Sequence, residues 1–373
     1  MSQPAGTLRG MEVVRLTPER DVVRAHPAAR ALVGRAPRRR EEREAELDRL
    51  LAPGATRPVG AGDRARPEAP DRYRVCFERD LDRVKHSHPW RRLAGKCQVF
   101  VAPEDDHLRT RLTHAVEVAQ VATGIARAVD LCHPLTEAIA LAHDCGHGPG
   151  GHASEEAFSP YLGPGGYDHA VYGADVTLAG LNLCRETLDG VRNHSWRRPP
   201  PATPEGEVVA WSDRIAYVCH DFEDAVRAGI LVPDDLPEEV RSVVGARRSH
   251  QIETFVLGVL DAIDRTGHVG MTEPAAGALQ AFRDFNFERI YLRPAARSQA
   301  DRVVRLLRGL VERFAAAPRL LAGSEPEAAA AAPGSPEATA LAVRYVSGMT
   351  DRFALALGVE LLGWRPEDLP RGV

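Results

Sequence analysis

Three histidines and an aspartate crowd into one short stretch, LAHDCGHGPGGH, residues 141–152. His143 stands beside Asp144, and His147 and His152 follow between glycines. Consecutive side chains on a helix point about 100° apart, yet two of them near a helix end can converge on one small object. A cation is the obvious candidate. Imidazole nitrogen with carboxylate oxygen suits Mn, Fe, Co, Ni or Mg, whereas a structural zinc draws cysteines. The competing reading of a His-Asp dipeptide is a hydrogen-bonded polar helix end. Further donors lie on neighbouring segments. His114 follows RTRLT, and Asp213 opens a long apolar-periodic stretch. Two histidines and two aspartates would leave positions on an octahedral ion for water and substrate. Asp213, Tyr217 and Asp221 are spaced i, i+4, i+8 and share a helix face, with Asp224 close by. That stripe reads as a site wall or as an ordinary solvated face, since Ile215, Val218 and Phe222 lie elsewhere on the turn.

The elements that must carry these residues are helices. RLTHAVEVAQVATGIARAV has apolar residues at Leu112, Ala115, Val116, Ala119, Ala122, Ala126 and Val129, which is helix spacing. Pro134 opens a second helix over PLTEAIALAHDC, stopped by Gly146, Gly148, Gly150 and Gly151. GEVVAWSDRIAYVCHDFEDAVRAGI is a third, ended by Gly229. Segments around 251–263 and 301–321 are helical, and RIYLRP reads as extended. The expected class is all-α. Residues 1–70 form a variable tail that holds a charged helix, PRRREEREAELDRLL, and a Pro/Gly-rich flexible or extended linker. Residues 71–321 form the core, 322–338 a low-complexity exposed insertion, and 339–373 a C-terminal helical segment packing on the core.

Composition narrows the function. Hydrophobic residues make up 44% of the 373-residue chain, enough for a large core. The net charge of −4 excludes a protein whose main task is coating nucleic acid, and leaves room only for weak nucleic-acid binding at a local basic site. Cys76, Cys97, Cys132, Cys145, Cys184 and Cys219 include no CxxC pair, so reduced thiols are expected. No run approaches the ~18 apolar residues of a membrane span, and MSQPAGTLRGMEVVRL has no apolar signal core. A cytoplasmic protein without a membrane partner is the reading.

Several stretches together carry a family likeness: RDLDRVKHSHPWRRLAGKCQVF, DHLRTRLTHAVEVAQVATGIAR, EAIALAHDCGHGPGGHASEEA, VVAWSDRIAYVCHDFEDAVRAGI and RYVSGMTDRFAL. The H…HD…D pattern on these helices resembles the HD superfamily of metal-dependent phosphohydrolases. The motifs around it resemble the deoxynucleoside triphosphate triphosphohydrolases, the dGTPase-like branch. The resemblance implies an HD-domain helical bundle with additional C-terminal helices. It implies hydrolysis of a dNTP to deoxynucleoside and tripolyphosphate by attack at the α-phosphate, a divalent metal cofactor, homo-oligomers that are often hexamers, and in some members a dNTP activator.

Residue by residue, the resemblance implies His114, His143, Asp144 and Asp213 as metal ligands. His152 and Glu155 match a proton-handling pair, and three positions apart on a helix they would face together. His147 matches a phosphate-facing histidine. Arg111, one turn before His114, and Arg214 would meet the triphosphate. Tyr217, Asp221 and Gln98 match sugar contacts, and Val99 stands where the family crowds out a 2′-hydroxyl. His169, in YDHAVYGADV, is a further substrate-contact candidate. Two departures from the family pattern stand out: Gly150 replaces an aromatic in GPGGH, and Ala170, Tyr172 and Gly173 replace polar residues after His169. An HD phosphohydrolase acting on another nucleotide and a non-catalytic nucleotide sensor are the alternative readings. His194 and His220 are second-tier candidates that would support ligands, while His86, His88 and His107 read as surface or structural.

Overall fold

The computed structural model describes residues 12–17, 20–24, 26, 31–101 and 105–372, so the first eleven residues of the expected tail lie outside the described residues. The chain divides into two units, Met1–Arg38 and Arg39–Val373. Within the first, β1 (Glu12–Thr17) pairs antiparallel with β2 (Arg20–Arg24), in the register Glu12↔Arg24 and Val14↔Val22. This hairpin was not anticipated from sequence.

The second unit is helical. In chain order its α-helices are α1 (Arg40–Leu50), α2 (Cys76–His86), α3 (His88–Arg92), α4 (Arg111–Ala128), α5 (His133–Ala142), α6 (His152–Phe158), α7 (His169–Tyr172) and α8 (Arg185–Asn193). They continue as α9 (Pro204–Arg227), α10 (Glu238–Val244), α11 (Arg248–Thr266), α12 (Glu273–Asn286), α13 (Pro294–Ala316), α14 (Pro336–Ser347) and α15 (Asp351–Leu362). Local chemistry sets the starts of the helices that matter most. The Thr110 hydroxyl accepts from the Thr113 amide to cap α4, and Thr203 accepts from the Gly206 amide to cap α9, with Pro204 as its first residue. Ser335 and Thr350 cap α14 and α15 in the same way.

Two apolar cores hold the helices. The larger gathers Ala115, Val118, Ala122 and Ile125 of α4, Leu135 and Ile139 of α5, and Ile215, Val218 and Phe222 of α9. Burying each large aliphatic side chain contributes about 1.5–3 kcal/mol. Gly190 lets α8 press on α5, because a β-carbon there would come within 2.4 Å of Ile139 Cδ1. The smaller core joins Leu307, Leu310 and Val311 of α13 to Ala342, Val343 and Val346 of α14, Ala354 of α15 and Phe158 of α6. The carboxylate-bearing helix α9 and the His-Asp end of α5 thus meet α4 inside the larger core.

Three segments differ from the sequence reading. The linker at 52–70 is an ordered strap, and the compact unit starts at Arg39 rather than near residue 71. Ala55 is buried, Thr56 donates from its amide (3.0 Å) and hydroxyl (2.7 Å) to Glu205, and buried Arg64 binds Asp80 at 2.5 Å. Buried carboxylates capture a chain that composition describes as loose. RIYLRP is not extended: Phe287–Tyr291 continues α12 as a π-helical turn until Pro294 opens α13. Within 322–338, Pro326–Ala329 forms a 3-10 turn, and Ala328 is fully buried in the smaller core rather than exposed.

Candidate metal centre and cleft

Helix α4 brings Arg111 and His114 to one face, one turn apart. Helix α5 ends at His143, whose backbone is still helical. Its Nδ1–H donates to the Ala140 carbonyl at 2.7 Å, which turns the Nε2 lone pair inward. Asp144 follows, and α9 supplies Asp213. The donors converge. His114 Nε2 and Asp213 Oδ1 lie 3.0 Å apart, and His143 Nε2 is 3.5 Å from Asp144 Oδ1 and 3.7 Å from Asp213 Oδ1. His143 Nε2 and His114 Nδ1 are buried with no hydrogen-bond partner. An orphaned inward nitrogen beside two carboxylates is costly without a cation, and these nitrogen and oxygen donors fit a divalent one.

Arg111 locks the arrangement. Its Nη1 donates to Asp144 Oδ2 at 2.7 Å, which leaves Oδ1 for the histidines. Burial alone would raise the Asp144 carboxyl, but His143 and Arg111 outweigh it and hold it well below the usual value. Asp213 is likewise depressed: burial opposes, while the bond to His114 and the neighbouring His143 prevail. Arg111 is itself 1% exposed, and its Nε and Nη2 have no partner. Two guanidinium donors therefore remain for an anionic ligand.

The glycine turn places the remaining histidines. Gly150 and Gly151 take φ of +72° and +61°, so the chain doubles back and α6 begins at His152. Gly146 carries no β-carbon because one would sit 2.0 Å from the His169 carbonyl oxygen. His147 stacks on His169 with ring centroids 3.7 Å apart, and its Nε2 is 3.2 Å from Asp144 Oδ1. Burial, with Arg111 and His169 adding to it, keeps His147 well below the ordinary imidazole pKa. The His152 ring faces the open cleft, 5.0 Å from the His147 ring. The surrounding protein and Arg111 push it down to about 4.

The carboxylate of Glu155 does not stand behind His152, as the i, i+3 spacing implied. It bonds Nδ1 of His169, reaching from α6 to α7. Burial opposes, but this bond brings Glu155 down to about 2 and leaves the His169 pKa raised.

A cleft of about 860 Å³ contains every residue to which the resemblance assigned a role except His143, which lies behind its wall. Gln98, half-buried Val99, Arg111, His114, Asp144, His147, His152, Glu155, His169, Asp213, Arg214, Tyr217 and Asp221 all line it. Burial raises the Asp221 pKa to about 7, and Asp221 accepts from the Tyr291 hydroxyl at 2.5 Å. The Arg214 guanidinium lies 3.6 Å from the Trp196 ring centroid.

The cleft also holds residues that sequence reasoning missed or set aside. Trp196, Arg283 and Tyr291 line it, and His194 enters the metal cluster. Lys96, from RRLAGKCQVF, is buried behind it and donates to the His147 and Ser347 carbonyls, the latter at 2.9 Å. His220 sits elsewhere, 3.2 Å from Glu117. The GK of the first motif was the one available signal for Lys96. His194 had none beyond its type.

A helical bundle closed around an H…HD…D cluster defines an HD-domain phosphohydrolase, and residues 111–218 match the HD domain model. Residues 269–359 match the phosphohydrolase-associated domain. The chain resembles the deoxyguanosinetriphosphate triphosphohydrolase-like protein of Caldanaerobacter subterraneus subsp. tengcongensis, 40% identical over 313 residues, which are 82% of this chain and 91% of that one. It also resembles the proteins of that name from Clostridium perfringens strain 13 (42% over 243 residues, 61% and 71% of the two chains) and Paracoccus denitrificans (34% over 378 residues, 84% and 100%). The chain belongs to the deoxyguanosinetriphosphate triphosphohydrolase-like family. Among the described residues, no helix is long and apolar enough to cross a membrane.

Proposed function

We propose that this chain hydrolyses deoxynucleoside triphosphates such as dGTP to deoxynucleoside and tripolyphosphate, by water attack at the α-phosphate. One observation carries the reading. The same cleft joins the His/Asp donors, the spare guanidinium donors of Arg111 and a hydroxyl- and carboxylate-lined region at Gln98, Tyr217 and Asp221. These are the three chemistries that a metal-bound triphosphate on a sugar requires. The names of the relatives agree with it.

In this reading His114, His143, Asp144 and Asp213 hold a divalent cation: Mn, Mg, Fe, Co or Ni. Bound there, the cation would stabilise charge on the phosphoryl oxygens and acidify the attacking water. Arg111 and Arg214 bind the triphosphate, and the Trp196 face holds Arg214 in place. The bond broken is that between the α-phosphorus and the 5′-oxygen. The oxygen of water stays on tripolyphosphate, and a proton goes to the departing 5′-oxygen.

His152, facing the cleft, delivers that proton, because adjacent phosphate charge raises its depressed pKa when substrate binds. Glu155 acts through His169, holding the ring against His147 rather than orienting His152. Tyr217, Asp221 and Gln98 bind the sugar, and Val99 excludes a 2′-hydroxyl by leaving it without a partner. Homo-oligomerisation, with a hexamer among the forms, and activation by a second dNTP belong to the same proposal.

The test is to incubate the purified protein with each dNTP and NTP, singly and mixed, with Mn or Mg, and to separate products by ion exchange. Tripolyphosphate and deoxynucleoside in equal amounts support the reading. Orthophosphate or pyrophosphate as the first product would reject it.

A further inference from the structure

Cys76 and Cys184 stand far apart in sequence and meet beneath the strap, away from the cleft. Cys76 is the first residue of α2, and Cys184 is the residue on which α8 starts. Both are buried, and their thiols hydrogen-bond each other. Gly62 of the strap rests on the pair. A β-carbon there would lie 3.4 Å from Cys76 Sγ and closer still to Cys184 Sγ, so the two sulfurs crowd one point. The backbone around them is pinned. The Cys184 amide donates to Asp80 at 2.8 Å, Arg64 donates to the Cys76 carbonyl at 2.9 Å, and the Arg185 amide donates to the Asp63 carbonyl at 2.8 Å. Both thiols stand at helix N-termini, where the helix dipole favours a thiolate. The hydrogen bond from Cys184 lowers the Cys76 pKa against the effect of burial, and the Val59 amide of the strap adds to it. That same bond, with burial, raises the Cys184 thiol. Burial raises the other four, Cys97, Cys132, Cys145 and Cys219. The pair thus offers one sulfur ready to attack beside one that keeps its proton.

We infer that Cys76 and Cys184 form a thiol–disulfide exchange site, at which a low-molecular-weight disulfide is reduced and the two cysteines become joined. Cys76 Sγ, as the thiolate, attacks one sulfur of the small disulfide. The small S–S bond breaks, and the first small thiolate leaves and takes up the proton that Cys76 released. Cys184 Sγ, on losing its proton, attacks Cys76 Sγ of the mixed disulfide, and the second small thiol departs with that proton. Two electrons and two protons pass from the cysteines to the oxidant, which becomes two thiols. The strap covers both sulfurs, so exchange proceeds through local opening of residues 52–70. The product ties the start of α8 to the start of α2 and closes a loop of roughly 100 residues, which constrains the unfolded chain. It fastens the helix whose other end aims His194 at the metal cluster. The inference rests on thiol geometry and does not depend on which phosphoester the protein hydrolyses.

The test counts thiols rather than turnover. The full chain is reduced with a phosphine, freed of reductant, held with oxidised glutathione, and then alkylated with N-ethylmaleimide in denaturant for intact mass. The chain has six cysteines, so the reduced protein should take six labels. After oxidation four labels are expected, six less the joined pair, and peptide mapping without reductant should link Cys76 to Cys184. Cys184→Ser should stop at the mixed disulfide, with a glutathione on Cys76. The linked wild-type chain should melt at a higher temperature than the reduced one, and dithiothreitol should reverse the shift. Six labels after oxidation would overturn the inference. So would a link that includes Cys132 or any other cysteine outside the pair, or a glutathione left on each of the two with no link between them. A linked chain that melts no higher would overturn the fastening of α8. The wild-type count and map decide the matter even if Cys184→Ser does not fold, and neither outcome bears on the identity of the substrate.

Discussion

Replacing Lys96 with Met isolates a buried amine that braces the site. Lys96 is 2% exposed, and its Nζ donates to the carbonyls of His147 and Ser347. Burial first, then the nearby Arg92 charge, lowers its pKa from 10.5 to about 7. The substitution leaves two buried carbonyls short of a donor, at about 1–3 kcal/mol each, so a loss of about 2–5 kcal/mol is expected near pH 9. The pH dependence carries a definite sign. Between pH 7 and 10.5 the unfolded lysine holds a proton that the folded one has released, so stability rises with pH across that window. The contribution is complete above the unfolded pKa and is lost as pH falls through the folded value near 7. Each unit is about 1.4 kcal/mol, so between pH 7 and 9 the gap between wild type and Lys96→Met should widen by about 2–3 kcal/mol. Urea denaturation of both proteins at several pH values reads it directly, and comparing the two proteins cancels the other titrating groups. A gap that stays flat from pH 6 to 9 would mean that Lys96 remains charged in the fold, and the argument from burial would fail.

Other substitutions test separate parts of the account. Asp144→Ala should abolish metal binding and turnover together, whereas His152→Ala should keep the metal and lower kcat by roughly 10²–10⁴-fold; metal analysis beside kinetics separates the two, and an unchanged kcat in His152→Ala removes it from proton transfer. Val99→Gly should raise the kcat/KM of ribonucleotides relative to deoxynucleotides, and an unaltered ratio would discharge Val99 from sugar selection. Glu205→Ala deletes the acceptor of the Thr56 amide and hydroxyl and of the Cys132 amide, so about 2–4 kcal/mol of stability should go. Hydrogen exchange should then quicken first in the strap at 52–70, and protection there equal to wild type would show that the strap is held by other contacts.

The helices that build the site were legible from their apolar periodicity, and the structure adds side-chain caps at Thr110 and Thr203 that the sequence reading did not use. The His143–Asp144 cluster was legible for a similar reason. A dipeptide at a helix end, followed by glycines that only a tight turn explains, leaves few other arrangements. What stayed hidden depends on contacts between segments distant in sequence. Glu155 reads locally as a partner for His152, three positions away. Its carboxylate instead reaches His169, fourteen positions on, because α7 packs across the glycine turn. His194 has no ligand spacing around it, and only the end of α8 aims it at the cluster. The strap at 52–70 shows the reverse failure. Proline and glycine content describes the unfolded chain well, but Glu205 and Asp80, buried and in need of donors, find Thr56 and Arg64 there.

Hydrolysis of dGTP in ¹⁸O-labelled water, with mass analysis of both products, tests the central claim most directly. Attack at the α-phosphorus places the label in tripolyphosphate and leaves the deoxynucleoside unlabelled. Label in the deoxynucleoside, or release of orthophosphate or pyrophosphate in place of tripolyphosphate, would contradict the proposed reaction.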